Sequence, residues 1–156
     1  MNAQLIRETK AYLEAHHVMT LSTAGEEGPW AAAVFYLSID FNLYFFTETN
    51  TRHGRDLAAN PLVAAAIHED YHDWRDIKGI QLRGEATPVG RMEKARIIPL
   101  FVRKFPSVGS FLGNPKTAAA VARAQVFKLV PREIWFLENN KGFSARQRII
   151  LTDDSH

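Results

Sequence analysis

The segment Phe46-Thr47-Glu48-Thr49-Asn50-Thr51-Arg52-His53 concentrates hydroxyls, a guanidinium and an imidazole where an aromatic run gives way to helix-forming residues. Those groups suit an anion: hydroxyls and an imidazole N–H each donate a hydrogen bond, and a guanidinium can fork onto two oxygens. If Thr51 caps a helix that begins at Arg52, the unpaired amides of the first turn and the positive end of the helix dipole point at the same spot. The same residues would serve equally well in a capped surface helix whose side chains face water. A second constellation, His68-Glu69-Asp70-Tyr71-His72, has the His-Glu-x-x-His spacing that on a helix brings two imidazoles to one zinc ion with the Glu as general base. Its flanks read as strand and loop, and the only later histidine is His156, so solvated loop residues are the expectation and no metal is expected. Arg91, Lys94, Arg96, Arg103 and Lys104, with Phe101 and Phe105, form a basic run that could meet nucleic acid or an acidic partner. The net charge of only +2 argues instead for the solvated face of a helix, and no nucleic-acid partner is expected. No nucleophile-elbow sequence is present, and the absence of cysteine removes disulfides, thiolate metal sites and thiol nucleophiles together. No catalytic acid or base stands out.

The elements that must position these groups follow from periodicity. Leu5, Ile6, Thr9, Tyr12 and Leu13 recur at helical spacing, which predicts an amphipathic first helix ending near His16 and His17. Val18–Thr23 alternates and is rich in β-formers; 24–29 is a turn, and Trp30–Ile39 is apolar again, a hairpin. Asp40-Phe41-Asn42 then turns into a third strand, Leu43–Thr47. Beyond the polar loop, Arg52–Asn60 reads as a helix closed by Pro61, Leu62–Ile67 as a buried strand and Ile77–Thr87 as an alternating one. Met92–Lys104 reads as a helix interrupted at Pro99, 106–116 as irregular, and Thr117–Arg123 as a short helical turn. Val126–Val130 and Ile134–Leu137, with Pro131-Arg132 between them, are the last strands expected. At 156 residues and 46% apolar composition, with no linker-like stretch, the chain 1–156 is expected to be a single domain with one core. Its start is polar and amphipathic, and no stretch approaches membrane-spanning length, so a cytoplasmic protein with no membrane partner is the expectation.

Phe46-Thr47, then Thr51-Arg52-His53, then Ala59-Asn60-Pro61-Leu62-Val63 resemble the pyridoxamine-phosphate-oxidase-like superfamily of split barrels that bind flavin mononucleotide (FMN). The order of elements from about Val18 to Thr87 is similar as well. The resemblance implies a mainly antiparallel, six-stranded split β-barrel with peripheral helices, working as a homodimer with FMN at the subunit interface. Phe46 and Thr47 would line the flavin tail, and Thr51, Arg52 and His53 would hold its phosphate, His53 standing where Lys is common. Ala31, Ala32, Ala33 and Val34 fall on the strand that runs under the isoalloxazine, where small side chains admit a flat ring, as they also admit tight strand packing. Gln81 lies two residues beyond the family's Gln position, Gly79, on the same face of the strand; Lys78 could carry positive charge toward the ring. Trp135 and residues 139–143 could cover the flavin of the second subunit. Full pyridoxamine phosphate oxidases carry Arg and Lys where this chain has Ala31 and Tyr36, so vitamin B6 oxidation is not expected. An FMN-dependent oxidoreductase of an unidentified small molecule is the reading carried forward. The alternatives are a non-enzymatic flavin-binding or sensing protein, or a haem- or deazaflavin-binding barrel, with His53 or a loop histidine as iron ligand in the haem case.

Overall fold

The computed structural model describes residues 2–151, so His156 lies outside the described residues. One sheet of eight strands dominates, with five α-helices among the described residues. Helix α1 (Ala3–Ala15) is capped by Asn2 and buries Leu5, Thr9, Tyr12 and Leu13, the stripe its periodicity predicts. Strands β1 (Val18–Gly25) and β2 (Gly28–Phe35) form the first hairpin, followed by β3 (Leu37–Ile39) and β4 (Asn42–Thr47). Helix α2 (Arg52–Ala59) leads to β5 (Leu62–His68) and β6 (Lys78–Pro88). Helices α3 (Arg91–Lys104), α4 (Pro106–Leu112) and α5 (Pro115–Arg123) come next, then β7 (Gln125–Glu138) and β8 (Arg146–Ile149).

The strand order is β2-β1-β5-β6-β7-β4-β3, with β8 also on β7, and every pairing is antiparallel. The two ends of that order, β2 and β3, are separated in the chain by Tyr36 alone, so the sheet must curl to bring its two edge strands end to end without pairing them. That curl makes a half-barrel. Leu13, Met19, Leu21, Leu43, Phe45, Ile67, Ile80, Leu129, Ile134 and Phe136 are buried inside it.

Tyr36 breaks the long apolar strand expected over Trp30–Ile39. Its backbone N–H donates to the His17 carbonyl at 3.0 Å and its hydroxyl donates to the Leu13 carbonyl at 2.7 Å, at the C-terminal end of α1. The ring is wholly buried, and that burial pushes the phenol's pKa well above its ordinary value. Tyr36→Phe therefore strands a helix-end carbonyl, and urea denaturation is expected to show a loss of about 1–2 kcal/mol.

The count of eight strands corrects the expected six. Besides the break at Tyr36, β8 adds a short strand, and the two strands expected around Pro131-Arg132 are one, β7. The ladder passes Pro131 through a bulge: Val130 pairs with Glu85, Pro131 with Gly84 and Glu133 with Arg83, leaving Arg132 as the extra residue. Gly84 permits it, since a Cβ there would lie 2.2 Å from the Val130 carbonyl oxygen.

Three expectations for the segment after β6 also change. Pro99 sits inside one unbroken helix rather than dividing it, with Ile97 and Phe101 buried on either side. The stretch 106–116 is not irregular: Pro106 and Pro115 occupy first-turn positions of α4 and α5, where a missing N–H is harmless and the fixed φ is already helical. Nor is the basic run wholly solvated. Lys94 Nζ donates to the Ala124 carbonyl at 2.7 Å, and Lys104 Nζ donates to the His16 carbonyl at 2.6 Å, each satisfying a helix-end acceptor. Burial between α1 and the Tyr36 ring pushes the Lys104 pKa down to about 8.

Candidate functional site

Strand β4 ends at Thr47, and Thr51 caps α2 by accepting from the Gly54 N–H at 3.1 Å. Between them the chain folds tightly on itself. The Thr51 hydroxyl donates to the Glu48 carbonyl at 2.8 Å and lies 3.2 Å from the Thr47 hydroxyl, which in turn lies 2.7 Å from His53 Nε2. Gly54 makes the turn possible: a Cβ there would sit 2.3 Å from the Glu48 carbonyl oxygen and 2.9 Å from Thr51 Oγ1. The result is a cluster of two hydroxyls and an imidazole at the start of α2. Burial pushes the His53 pKa below its ordinary value, with Asp56 opposing in part, so the ring is neutral at neutral pH.

This cluster is the polar end of a cavity of about 500 Å³. Ala33, Val34 and Phe35 of β2 and Phe46 of β4 form one wall. The opposite wall comes from the three helices after β6, chiefly Phe101, Val108, Phe111 and Val121. Sequence reasoning missed that wall, although Pro106 and Pro115 are the first-position signals that could have revealed its helices.

Arg52 does not line the cavity. Its guanidinium lies over the Trp30 ring, 4.9 Å from the centroid, with Nη1 2.8 Å from Glu27 and Nε 3.5 Å from the buried Asp56. Asp56 also accepts from the Thr23 hydroxyl at 2.8 Å, tying α2 to β1. Arg52 Nε is buried without a hydrogen-bond partner among the described residues.

The remaining residues singled out in the sequence lie elsewhere. Ala31 and Ala32 are on β2, the edge strand, beside the cavity but outside its lining. Lys78 and Gln81 line a separate cleft of about 350 Å³ together with His68, Glu69 and Tyr71. Trp135 pairs in register with Gln81; its indole N–H donates to Glu133 at 2.8 Å and Arg146 stacks over it at 5.3 Å. Asn139 is buried and structural, donating to the Trp74 carbonyl at 2.8 Å, whereas Phe143 is exposed against Trp74. The His-Glu-x-x-His stretch is not helical: His68 ends β5 and Glu69 pairs with His16 Nε2 at 2.9 Å. Among the described residues, no three His, Asp or Glu side chains converge as metal ligands would.

The register places the two groups on one face of the sheet. Ala33 faces Thr20, Thr20 faces Ala66, Ala66 faces Gln81 and Gln81 faces Trp135. At roughly 4.8 Å per strand, Gln81 is about 14 Å and Trp135 about 19 Å from Ala33 across this face.

The family profile of pyridoxamine 5'-phosphate oxidase matches residues 5–138. The chain belongs to the pyridoxamine 5'-phosphate oxidase family. A UPF0306 protein of Photorhabdus laumondii is 29% identical over 147 residues, covering 93% of each chain. HutZ, the heme storage protein of Vibrio cholerae, superimposes with a TM-score of 0.68 at 18% identity, over 82% of this chain and 91% of its own. A heme-binding protein of Mycobacterium smegmatis gives a TM-score of 0.70 at 20% identity, over 90% of this chain and 56% of its own. At those identities the likeness to the solved structures is one of fold, and the curled antiparallel sheet is the half-barrel of the pyridoxamine 5'-phosphate oxidase family. No helix among the described residues is long and apolar enough to cross a membrane.

Proposed function

We propose that the protein is an FMN-binding homodimer and an FMN-dependent oxidoreductase acting on a small molecule. The observation that carries this reading is the Thr47–Thr51–His53 cluster at the start of α2, opening into a cavity walled mainly by apolar side chains. A phosphomonoester needs donors at one end and a flat ring needs an apolar slot at the other, and this cavity offers both.

The donor set fits the phosphate. Thr47, Thr51 and His53 would hold it, and Arg52 would join them by leaving Glu27, whose side chain is 72% exposed. An ion pair that exposed contributes no more than about 1 kcal/mol, so the Nη1 end of the guanidinium is the end that could turn to a phosphate. Ala31, Ala32, Ala33 and Val34 lie on an edge strand whose outer backbone groups are unpaired by any neighbouring strand, suited to the polar rim of the ring. Phe101 and Phe111, on the opposite wall, would shield its face. FMN, when bound, supplies one- or two-electron transfer; the protein supplies anchoring, orientation and shielding.

The distances across the sheet support the dimer. Gln81 and Trp135 lie too far across the sheet to reach a ring held at Ala33 of their own chain, yet they share its exposed face, a strip of small side chains including Thr20, Ser22, Ala64 and Ala66. A second copy packed face to face would bring its own Gln81, Lys78 and Trp135 over the cavity.

The test is the absorption spectrum and binding isotherm of purified protein with FMN and with riboflavin, for wild type and Arg52→Ala. Loss of one charge-assisted contact is expected to weaken FMN roughly 10- to 100-fold and to leave riboflavin unchanged. A protein that takes up no flavin removes the reading. Turnover of the bound flavin with a reduced nicotinamide and an acceptor separates an oxidoreductase from a flavin-binding sensor.

Haem is the second reading, favoured by one observation: His53 is an imidazole kept neutral inside an apolar cavity, the state that ligates iron. HutZ and the M. smegmatis protein, with the same fold, store or bind heme. An intense single Soret band on adding haemin, lost in His53→Ala, would replace FMN with haem.

A further inference from the structure

We infer that His53 makes phosphate capture at this site proton-coupled, so that the protein takes up close to one proton for each phosphomonoester ligand it binds. The inference rests on the FMN reading and concerns what this chain's own imidazole does there.

The geometry is specific. His53 Nε2 is held 2.7 Å from Thr47 Oγ1, and Thr47 Oγ1 is 3.2 Å from Thr51 Oγ1, so the imidazole belongs to the same donor array as the two hydroxyls. Among the described residues Nδ1 has no hydrogen-bond partner. The charged groups around the ring are few. Asp56 lies one turn along α2, buried and shared with Thr23 and Arg52, and Glu48 lines the cavity from the loop before α2. Arg52 is turned to Glu27 and Trp30. From β2 the cavity receives Ala33, Val34 and Phe35, and from α3, α4 and α5 only apolar and hydroxyl side chains, none of which titrates near neutrality.

In the empty cavity burial disfavours an imidazolium more than Asp56 compensates it, in line with the lowered pKa of His53. A phosphomonoester with its second pKa near 6 arrives at neutral pH mainly as a dianion. Placed against the hydroxyls, and with Arg52 joining it, the phosphate still shifts the balance: its two negative charges favour the imidazolium, whose two N–H groups can donate where the neutral ring has only one to give. A lysine in this position would be charged before and after binding and would take up nothing. His53 thus selects for a ligand carrying a phosphate dianion, at a pH-dependent strength.

Linkage gives the sign. Where the ring is neutral free and protonated bound, FMN binding weakens as pH rises above neutrality, by up to about tenfold per pH unit, and flattens above the pKa of His53 in the complex; toward about pH 6 and below, protonation of the phosphate itself opposes the trend. Riboflavin, lacking the phosphate, should show neither effect.

The experiment is titration calorimetry of the whole protein with FMN at pH 7.5 in two buffers of different ionisation enthalpy, joined to FMN and riboflavin affinities from pH 7 to 9, where the phosphate is already a dianion. The expected result is an uptake near one proton for FMN, none for riboflavin, and an FMN-to-riboflavin affinity ratio that falls with pH. His53→Lys is expected to bind FMN with no uptake and a flat ratio; the wild-type calorimetry stands alone if that variant fails to fold. FMN binding with no proton uptake by wild type overturns the inference and leaves the flavin reading standing. No binding of FMN by wild type overturns the flavin reading and the inference with it.

Discussion

Asp56→Ala is expected to lower the free energy of unfolding by about 3 kcal/mol, near the lower end of what removing one partner of a buried charge pair costs. Asp56 is 5% exposed and accepts from Thr23, itself buried, at 2.8 Å, while Arg52 Nε lies 3.5 Å from its other oxygen. Alanine leaves the Thr23 hydroxyl without its acceptor and the inner edge of the guanidinium without its counter-charge in a place water reaches poorly. The effect stays at the lower end because Arg52 keeps Glu27 and the Trp30 ring. For a domain of this size it corresponds to a fall in Tm of roughly 6–12 °C. Chemical denaturation of wild type, Asp56→Ala and Asp56→Asn measures it; the Asn variant, which keeps an acceptor for Thr23, should lose less. A loss below about 1 kcal/mol for the alanine variant would mean that α2 is held to β1 by apolar packing and not by this carboxylate.

The second large effect is expected from Gly54→Val. Any Cβ at this position meets the Glu48 carbonyl oxygen at 2.3 Å and Thr51 Oγ1 at 2.9 Å, and the nearer of the two is backbone, which no side-chain rotation can move aside. The loop from Thr47 to Thr51 must therefore move, which breaks the N-cap of α2 and separates the Thr47 and Thr51 hydroxyls from His53. Overpacking and loss of the cap together cost about 2–4 kcal/mol. Because the displaced groups are the proposed phosphate donors, FMN affinity should fall at least about tenfold while riboflavin falls less. Gly90→Ala is the matched control, since a Cβ there has nothing within 4 Å. Equal stability and equal FMN affinity in Gly54→Val and wild type would show that the loop tolerates the change and that its tight fold is not required.

Much of this molecule was legible from short stretches of the chain. The apolar stripe of α1, the alternation of β1 and β6 and the cap at Thr51 are local: each depends on residues within a turn or a few strand positions of one another. The Thr47-to-His53 loop is equally local, which is why its hydroxyls and imidazole could be placed together before any fold was known. The break at Tyr36, the passage of β7 through Pro131 and the wall built by α3 to α5 had no such local signature. Tyr36 interrupts an apolar run because its hydroxyl reaches the end of α1, and Pro131 is tolerated because Gly84 lies opposite on another strand. Arg52 follows the same logic: its sequence neighbours are the phosphate-loop residues, but its partners, Glu27 and Trp30, come from the first hairpin. Gln81 and Trp135 share an exposed face with Ala33 yet lie across three and four strands from it, a separation set by register alone. Side-chain type and spacing thus named the chemistry; which way each group points, and how far apart they lie, came from contacts between residues distant in the chain, whose free energy no local pattern records.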